Sequence, residues 1–389
     1  MPKQWKQFSG NWTLTQQLQA VAAGTWKGIV QPELYAWGAN GSGQLGIGTV
    51  VNASSPVQIG TEADWSVVEA GEDFSAGIKT DGTIWSWGLN SDGRLGINSI
   101  VAQSSPVQIG ALSNWSKVST GRQHCLAVKT DGTLWAWGKN DDGRLGTGDK
   151  VYVSSPVQLG GLTTWANISA GKVCSYAIKT DGTIWSWGNN FSGGLGLNSP
   201  SGTNVSSPVQ IGGLTNWALV SGANYRAAAI KTDGTMWGWG NNNDGGLGIG
   251  NVSPVYRSSP IQVGALTNWS TVSTPQNACI SVKTDNTIWS WGNGTPGGRG
   301  AGAPNASSPV QIGGLTTWSK VITSGGGTGQ TGGAIKTDGT LWVWGSNSSG
   351  QLGNNTAVTN QSPIQVGTLS WSSGSAGKDH TAAVSAEKN

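Results

Sequence analysis

The stretch "IKTDGTIWSWG", Ile78 to Gly88, decides the fold, because the chain writes it again letter for letter from Ile178 to Gly188. Near-copies follow as "VKTDGTLWAWG" from Val128, "IKTDGTMWGWG" from Ile230, "VKTDNTIWSWG" from Val282 and "IKTDGTLWVWG" from Ile335. An Asp-Gly pair between two runs of β-forming residues reads as a tight hairpin and predicts a type I′ turn. Alternation along "IWSWG" places Trp85 and Trp87 on one sheet face and Ile84 and Ser86 on the other.

Three markers around this stretch count the same number of units. The second Trp of the motif recurs at Trp37, Trp87, Trp137, Trp187, Trp239, Trp291 and Trp344, in steps of 50, 50, 50, 52, 52 and 53 residues. Another Trp opens a strand at Trp65, Trp115, Trp165, Trp217, Trp269, Trp318 and Trp371. A Ser-Pro pair ends at Pro56, Pro106, Pro156, Pro208, Pro260, Pro309 and Pro363. Four short strands in each of seven units of this length predict a seven-bladed β-propeller. The chain enters the repeat at "LYAWG" (Leu34–Gly38) without a preceding hairpin, and leaves at "TAAVSAEKN" (Thr381–Asn389), where that hairpin would begin. Pairing the two ends completes the seventh blade and hides the sheet edges. The expected protein is therefore all-β, a propeller over residues 31–389 preceded by a short arm over residues 1–30. A buried Trp removes on the order of 200 Å² from water. The 13 Trp of the motif strands, with Tyr35, are thus expected to pack adjacent blades together.

Composition narrows the function classes. Only 11% of residues are charged and the net charge is +3, far from the basic footprint of a nucleic-acid binder. Two histidines, His124 and His380, and three cysteines without metal-type spacing predict neither a metal site nor a cofactor nor a disulfide framework. No stretch approaches the roughly 20 apolar residues of a membrane span, and the first residues lack the apolar core of a secretory signal. The segment "GANGSGQLG" (Gly38–Gly46) follows a strand without opening a helix, so its glycines are turn chemistry and not a phosphate loop. No nucleophile is placed beside a base, and no catalytic residue is expected. Asp141 and Asp142, with Asn140, offer the oxygens that Ca²⁺ takes. The other copies replace them, however, so a solvated turn is expected. The recurring Lys79 and Asp81, and their copies, read as solvated hairpin tips whose charges cancel.

Comparison of the seven copies with one another shows where the scaffold leaves a choice. The triplets "EDF" (Glu72–Phe74), "RQH" (Arg122–His124), "KVC" (Lys172–Cys174), "ANY" (Ala223–Tyr225), "QNA" (Gln276–Ala278) and "KDH" (Lys378–His380) vary within constant surroundings. All are expected to follow an outer strand and to gather on one face near the axis. The loops before the Ser-Pro pair vary too, and carry Tyr152, Tyr256 and Arg257. Aromatic and Arg side chains are the usual anchors of binding patches. The candidate binding residues of the ring are Phe74, Arg122, His124, Tyr152, Tyr225, Tyr256, Arg257 and His380.

"LYAWGANGSGQLGIG", followed by "AGEDFSAGIKTDGTIWSWG", resembles the regulator of chromosome condensation repeat family. The resemblance runs from Gln31 to about Ser385 and implies a seven-bladed propeller closed in this phase. The eukaryotic founder exchanges nucleotide on a small GTPase with a wedge-like insertion, and binds nucleosomes. The even unit lengths leave no blade room for such a wedge, and the basic tail is absent. Outside the ring, "FSGNWTLTQQLQAVAAGTW" (Phe8–Trp26) resembles the opening segment of virion proteins of tailed bacteriophages. This implies a non-enzymatic structural or adhesion protein of a virion: a fibre, spike or decoration component. Its arm would attach through Trp12 and Trp26 to other virion proteins or to copies of itself. Its propeller loops would meet a host-surface glycan or protein. The alternative is a soluble bacterial protein-binding propeller, in the cytoplasm or at the cell surface, similar in principle to the β-lactamase-inhibiting member of the broader family.

Overall fold

A computed structural model describes residues 31–387, apart from residues 277, 296, 297, 301, 303 and 325–329. The strands form seven sheets, antiparallel except where Thr323–Ser324 pairs in parallel with Ser375–Ala376. Blade 1 consists of Trp65–Ala70, Phe74–Lys79, Ile84–Gly88 and Gln103–Gln108, hydrogen-bonded in that order. Blades 2 to 6 repeat it, starting at Trp115, Trp165, Trp217, Trp269 and Trp318. Blade 7 takes Trp371–Ala376 and His380–Ser385 from the end of the chain and Leu34–Gly38 and Ala53–Gln58 from its start. Leu34 pairs with Val384 and Gly38 with His380, which closes the ring as the complementary half-repeats require.

Seven apolar cores lie in the seven seams between blades. Ile78 and Ile84 of blade 1 face Trp115, Val118 and Trp137 of blade 2, and the other seams repeat the arrangement. The second Trp of each motif is fully buried there, and in all but Trp291 its indole N–H donates across the seam: Trp87 Nε1 to Gln44 O at 2.9 Å and Trp187 Nε1 to Arg144 O at 2.9 Å. At about 25 cal/mol per Å², each such ring contributes about 5 kcal/mol of transfer free energy. Gly46 lies against the Trp87 ring, where an added Cβ would come within 2.8 Å of the indole. The first Trp does a different job. Trp85 is half-buried and packs with Trp87 around Trp65 of its own blade, at centroid distances of 6.4 and 5.8 Å from that ring.

Three expectations change. The Asp-Gly hairpin is not type I′: Gly82 alone of the pair has positive φ, +80°. Gly82 N donates to Lys79 O and Lys79 N to Thr83 O, a type I turn followed by a left-handed bulge residue. Asp81 stays right-handed because its carboxylate accepts both Thr83 N and Thr83 Oγ1, at 2.9 and 2.7 Å. The hairpin lysines are not solvated. Lys79, Lys129, Lys179, Lys231 and Lys283 are buried, and the ammonium of Lys129 lies 3.6 Å from the Trp135 ring centroid and 4.8 Å from that of Trp115. Finally, the strand before each variable turn is the innermost, not an outer one. Successive inner strands touch around the axis: Ala70 N donates to Ser375 Oγ and Ala170 N to Ser119 Oγ, at 2.9 and 3.0 Å.

Strand direction sorts the connections onto two faces. The "KTDGT" hairpins and the "GLT" loops lie on one, the hairpin face. The variable turns and the long loops after each "WG" lie on the other, the loop face.

Candidate functional site

The loop face around the axis is built from two sets of segments. The long loop after each motif is shaped by one Asn. Asn40 Nδ2 donates to Thr49 O and Val51 O, while its Oδ1 accepts Leu45 N, and the side chain is fully buried. Asn90, Asn140, Asn190, Asn242 and Asn347 do the same in their blades. The short turns are tied to the next blade through the backbone: Arg122 N to Gly171 O, Lys172 N to Ala223 O, Lys378 N to Gly71 O. The side chains presented around the axis therefore stand on a fixed frame.

The variable turns do gather near the axis, but not every candidate side chain is offered to solvent. Phe74, His124 and His380 occupy equivalent positions and are fully buried, which corrects their reading as surface anchors. Each points into a seam: His124 Nε2 meets Ser175 Oγ and His380 Nε2 meets Ser75 Oγ, both at 2.9 Å. Burial drives the His380 pKa down to about 4 and that of His124 well below the usual histidine range, so both rings are neutral. In blade 4 that position belongs to Arg226, and Tyr225 stands one place earlier. Arg226 is buried and donates from Nη2 to Gln276 O of blade 5 at 3.1 Å. Counting thirteen residues back from the second Trp, as from Trp87 to Phe74, finds Arg226 in the sequence.

Arg122 and Tyr225 remain at the surface. Arg122 is partly exposed, and its Nε donates to Glu72 Oε2 across the seam of blades 1 and 2 at 2.8 Å. Lys172 of blade 3 places its ammonium 5.4 Å from the Tyr225 ring centroid. Tyr225 in turn packs on Phe191, with centroids 4.9 Å apart. Phe191 was not singled out by its sequence. It begins a short 3-10 turn, Phe191–Gly193, in the long loop of blade 3, and is 54% exposed. Its signal is that the equivalent loop position holds small or polar residues in the other copies, such as Gly41, Ser91 and Asp141. Burial, with Arg122 nearby, lowers the Lys172 pKa. On the opposite side of the mouth, burial and then Glu72 raise the Asp73 carboxyl, and burial raises Asp379. The mouth thus has a basic, aromatic sector on blades 2 to 4 and an acidic sector on blades 7 and 1.

Tyr152, Tyr256 and Arg257 are not brought to this mouth. Tyr256 and Arg257 start the outermost strand of blade 4, Tyr256–Gln262, and Tyr152 precedes the outermost strand of blade 2. Both tyrosines are exposed, and Tyr152 Oη donates to Asp141. Asp141 also pairs with Lys139, and Asp142 with Arg144, so these carboxylates are answered by cations of their own loop. Among the described residues no group of three His, Cys, Asp or Glu side chains converges as metal ligands would. The three cysteines are free and buried. No described helix is long and apolar enough to cross a membrane. Trp12 and Trp26 lie outside the described residues.

Comparison with known proteins agrees with this geometry. Human WBSCR16 superposes with a TM-score of 0.81 over 91% of this chain and 98% of its own, at 21% identity. Prp20p of Saccharomyces cerevisiae superposes with a TM-score of 0.81 over 92% of this chain and 93% of its own, at 17% identity. At those identities the likeness is one of fold. A human protein described as a probable E3 ubiquitin-protein ligase, HERC6, is 32% identical over 159 residues, which are 39% of this chain and 15% of that protein. Residues 15–332 match the RCC1-like domain and residues 338–384 the regulator of chromosome condensation (RCC1) repeat, and the chain belongs to the RCC1-like propeller family.

Proposed function

We propose that this protein is a non-enzymatic binding propeller that seats a protein partner on the basic, aromatic sector of its loop face. The observation that carries the reading is the cluster of Phe191, Tyr225, Lys172 and Arg122. Exposed aromatic and Arg side chains held on a rigid frame are what interface anchors require, because little side-chain entropy is lost on docking. Protein partners are also what is described for yeast Prp20p, with Gsp1p and histones. Hydrogen exchange on the chain alone and in its native assembly tests the reading. Protection is expected in the loops holding residues 122, 172, 191 and 225. Protection confined to the hairpin face overturns it.

The finer reading is a structural or adhesion component of a tailed-phage virion, attached through residues 1–30. It rests on the sequence from Phe8 to Trp26. Purified particles should contain the protein in stoichiometric amounts, and a chain beginning at Gln31 should fold yet fail to enter them. A protein absent from particles favours the soluble bacterial reading, in which the same loop-face patch binds a cellular partner.

A further inference from the structure

The hairpin face is nearly the same in blades 1 to 6, and among these the loop beside the hairpin departs in its chemistry at the seam of blades 7 and 1. The loop entering each inner strand carries a leucine: Leu112, Leu162, Leu214, Leu266, Leu315 and Leu369. At the seam of blades 7 and 1 the residue is Glu62, and Asp64 replaces the Asn, Thr or Ser that stands just before the Trp of the inner strand. The local geometry responds. In five sister blades the hairpin lysine sits 3.6–3.8 Å from the centroid of the first motif Trp. Lys79 stands off at 4.6 Å from Trp85, pairs with Glu62, and has Asp64 Oδ1 at 3.4 Å. The sister lysines have no carboxylate partner among the described ion pairs.

Beside this pair lies a groove of about 410 Å³, walled by Trp65 and Trp85 and edged by Thr61, Glu62, Ser105 and Gly46. Its size suits a small ligand or one protruding side chain. Glu62 is 64% exposed, so its carboxylate is open to a second ion as well as to Lys79. Two loop carboxylates face one ammonium, leaving a negative surplus; burial raises the Asp64 carboxyl most, Lys79 opposes that rise and Glu62 adds to it. Trp65 is buried, and its Nε1–H, like those of its six sisters, donates to no group among the described residues. An aromatic wall next to uncompensated carboxylate is the chemistry that selects an organic cation.

We propose that this seam is a binding site for a basic side chain, an arginine guanidinium or lysine ammonium presented by a peptide or protein. Glu62, which also pairs with Lys79, takes the charge, and the half-buried Trp85 ring takes the flat or aliphatic part beside Lys79. The groove lies between blades 7 and 1, with Glu62 and Lys79 on the hairpin face, and shares no residue with the patch proposed at the mouth of the axis.

The test follows the indole N–H resonance of Trp85, identified by its loss in Trp85→Phe, in the full chain. N-acetyl-arginine amide and N-acetyl-lysine amide are the cationic probes. N-acetyl-citrulline amide and methyl glucoside are the neutral ones. The expected result is a saturable shift with the cations only, at about millimolar affinity. Glu62→Leu, which restores the sister residue, should weaken binding at least about fivefold. The converse variant, Leu112→Glu with Asn114→Asp, should create a second site reported by Trp135. Equal response to the neutral probes, undiminished binding by Glu62→Leu, no shift with any probe, or no gain at Trp135 each overturns the proposal.

Discussion

The two faces of this disc obey different rules. On the hairpin face one bonded chain runs through each motif: Trp85 Nε1 to Thr83 Oγ1 at 2.9 Å, Thr83 Oγ1 to Asp81 Oδ1 at 2.7 Å, with the lysine on the Trp rings beside it. Blades 2 to 6 repeat it. Every residue has a partner within its own blade, so each copy must keep them all. On the loop face a single structural position holds Phe74, His124, Cys174, Arg226, Ala278, Thr331 and His380 in turn. The frame there is set by backbone bonds and the buried Asn, and the side chain at that position is free to change. One face specifies the blade; the other is where blades can differ without unfolding.

The largest blow to that division is removal of residues 381–389. It takes Thr381–Ser385, all but the first residue of the strand His380–Ser385, from between its two partner strands and opens the ring. A loss comparable to the whole stability of a domain, about 5–15 kcal/mol, is expected, seen as loss of a cooperative urea transition. An unchanged transition breaks the claim that closure holds both faces.

Next come the two Trp of one motif. Trp187→Ala empties a fully buried seam position and should cost about 3–5 kcal/mol. Trp185→Ala removes a half-buried ring with its lysine contact and should cost about 1–2 kcal/mol. Urea midpoints compare them; equal costs would erase the distinction between seam and rim.

The buried histidines give a pH test of the variable position. The folded His380 pKa is depressed from 6.5 to about 4 by burial, so the unfolded chain binds more protons between those values. Stability from this group is complete above about pH 6.5 and is lost as pH falls toward 4, by about 3 kcal/mol. His124 acts in the same direction. The double variant His124→Phe, His380→Phe should remove this slope and still fold. Phe74 already fills the equivalent place in blade 1, with Gly71 against its ring as Gly377 lies against His380. Ser75 and Ser175 keep their bonds to Gln44 O and Arg144 O, at 2.9 and 2.7 Å. Urea midpoints at pH 7 and pH 4.5 measure the difference between variant and parent; identical slopes contradict neutral, buried histidines.

The smallest effect on stability is expected at the loop-face patch. Arg122→Lys, which keeps a cation for the buried Glu72, and Phe191→Ala should each change it by no more than about 0.5 kcal/mol, while weakening the partner at least about tenfold. A large fall in stability would move these residues from the binding surface into the framework.

Much of this was legible because the chain states its fold seven times. The Trp spacing, the Ser-Pro pairs and the split seventh unit lead to blade number and closure without any coordinate. The candidate site was legible only in part. Variation among the copies points to the turns near the axis, but variation does not tell an exposed side chain from one tucked into a seam. Phe74 and His380 vary and are buried; Phe191 varies and is exposed. Tyr225 was placed one residue out of phase because Ala223 replaces the glycine of Gly71, Gly121 and Gly171 at the start of the turn.

The sequence by itself determined what depends on local periodicity: strand, hairpin, repeat, and a ring closed by its own ends. These follow from alternation and spacing, which are properties of one strand or one pair. The tertiary structure decided what depends on packing between strands and between blades. It chose which lysine face is covered, by stacking each Lys on two Trp rings. It chose which variable residue is hidden, by aiming one position of each turn at the next sheet. It also drew Lys79 away from Trp85 toward Glu62 and Asp64, from a loop seventeen and fifteen residues earlier in the chain. Burial and ion pairing are set by distance in space, and strand periodicity carries no record of that distance.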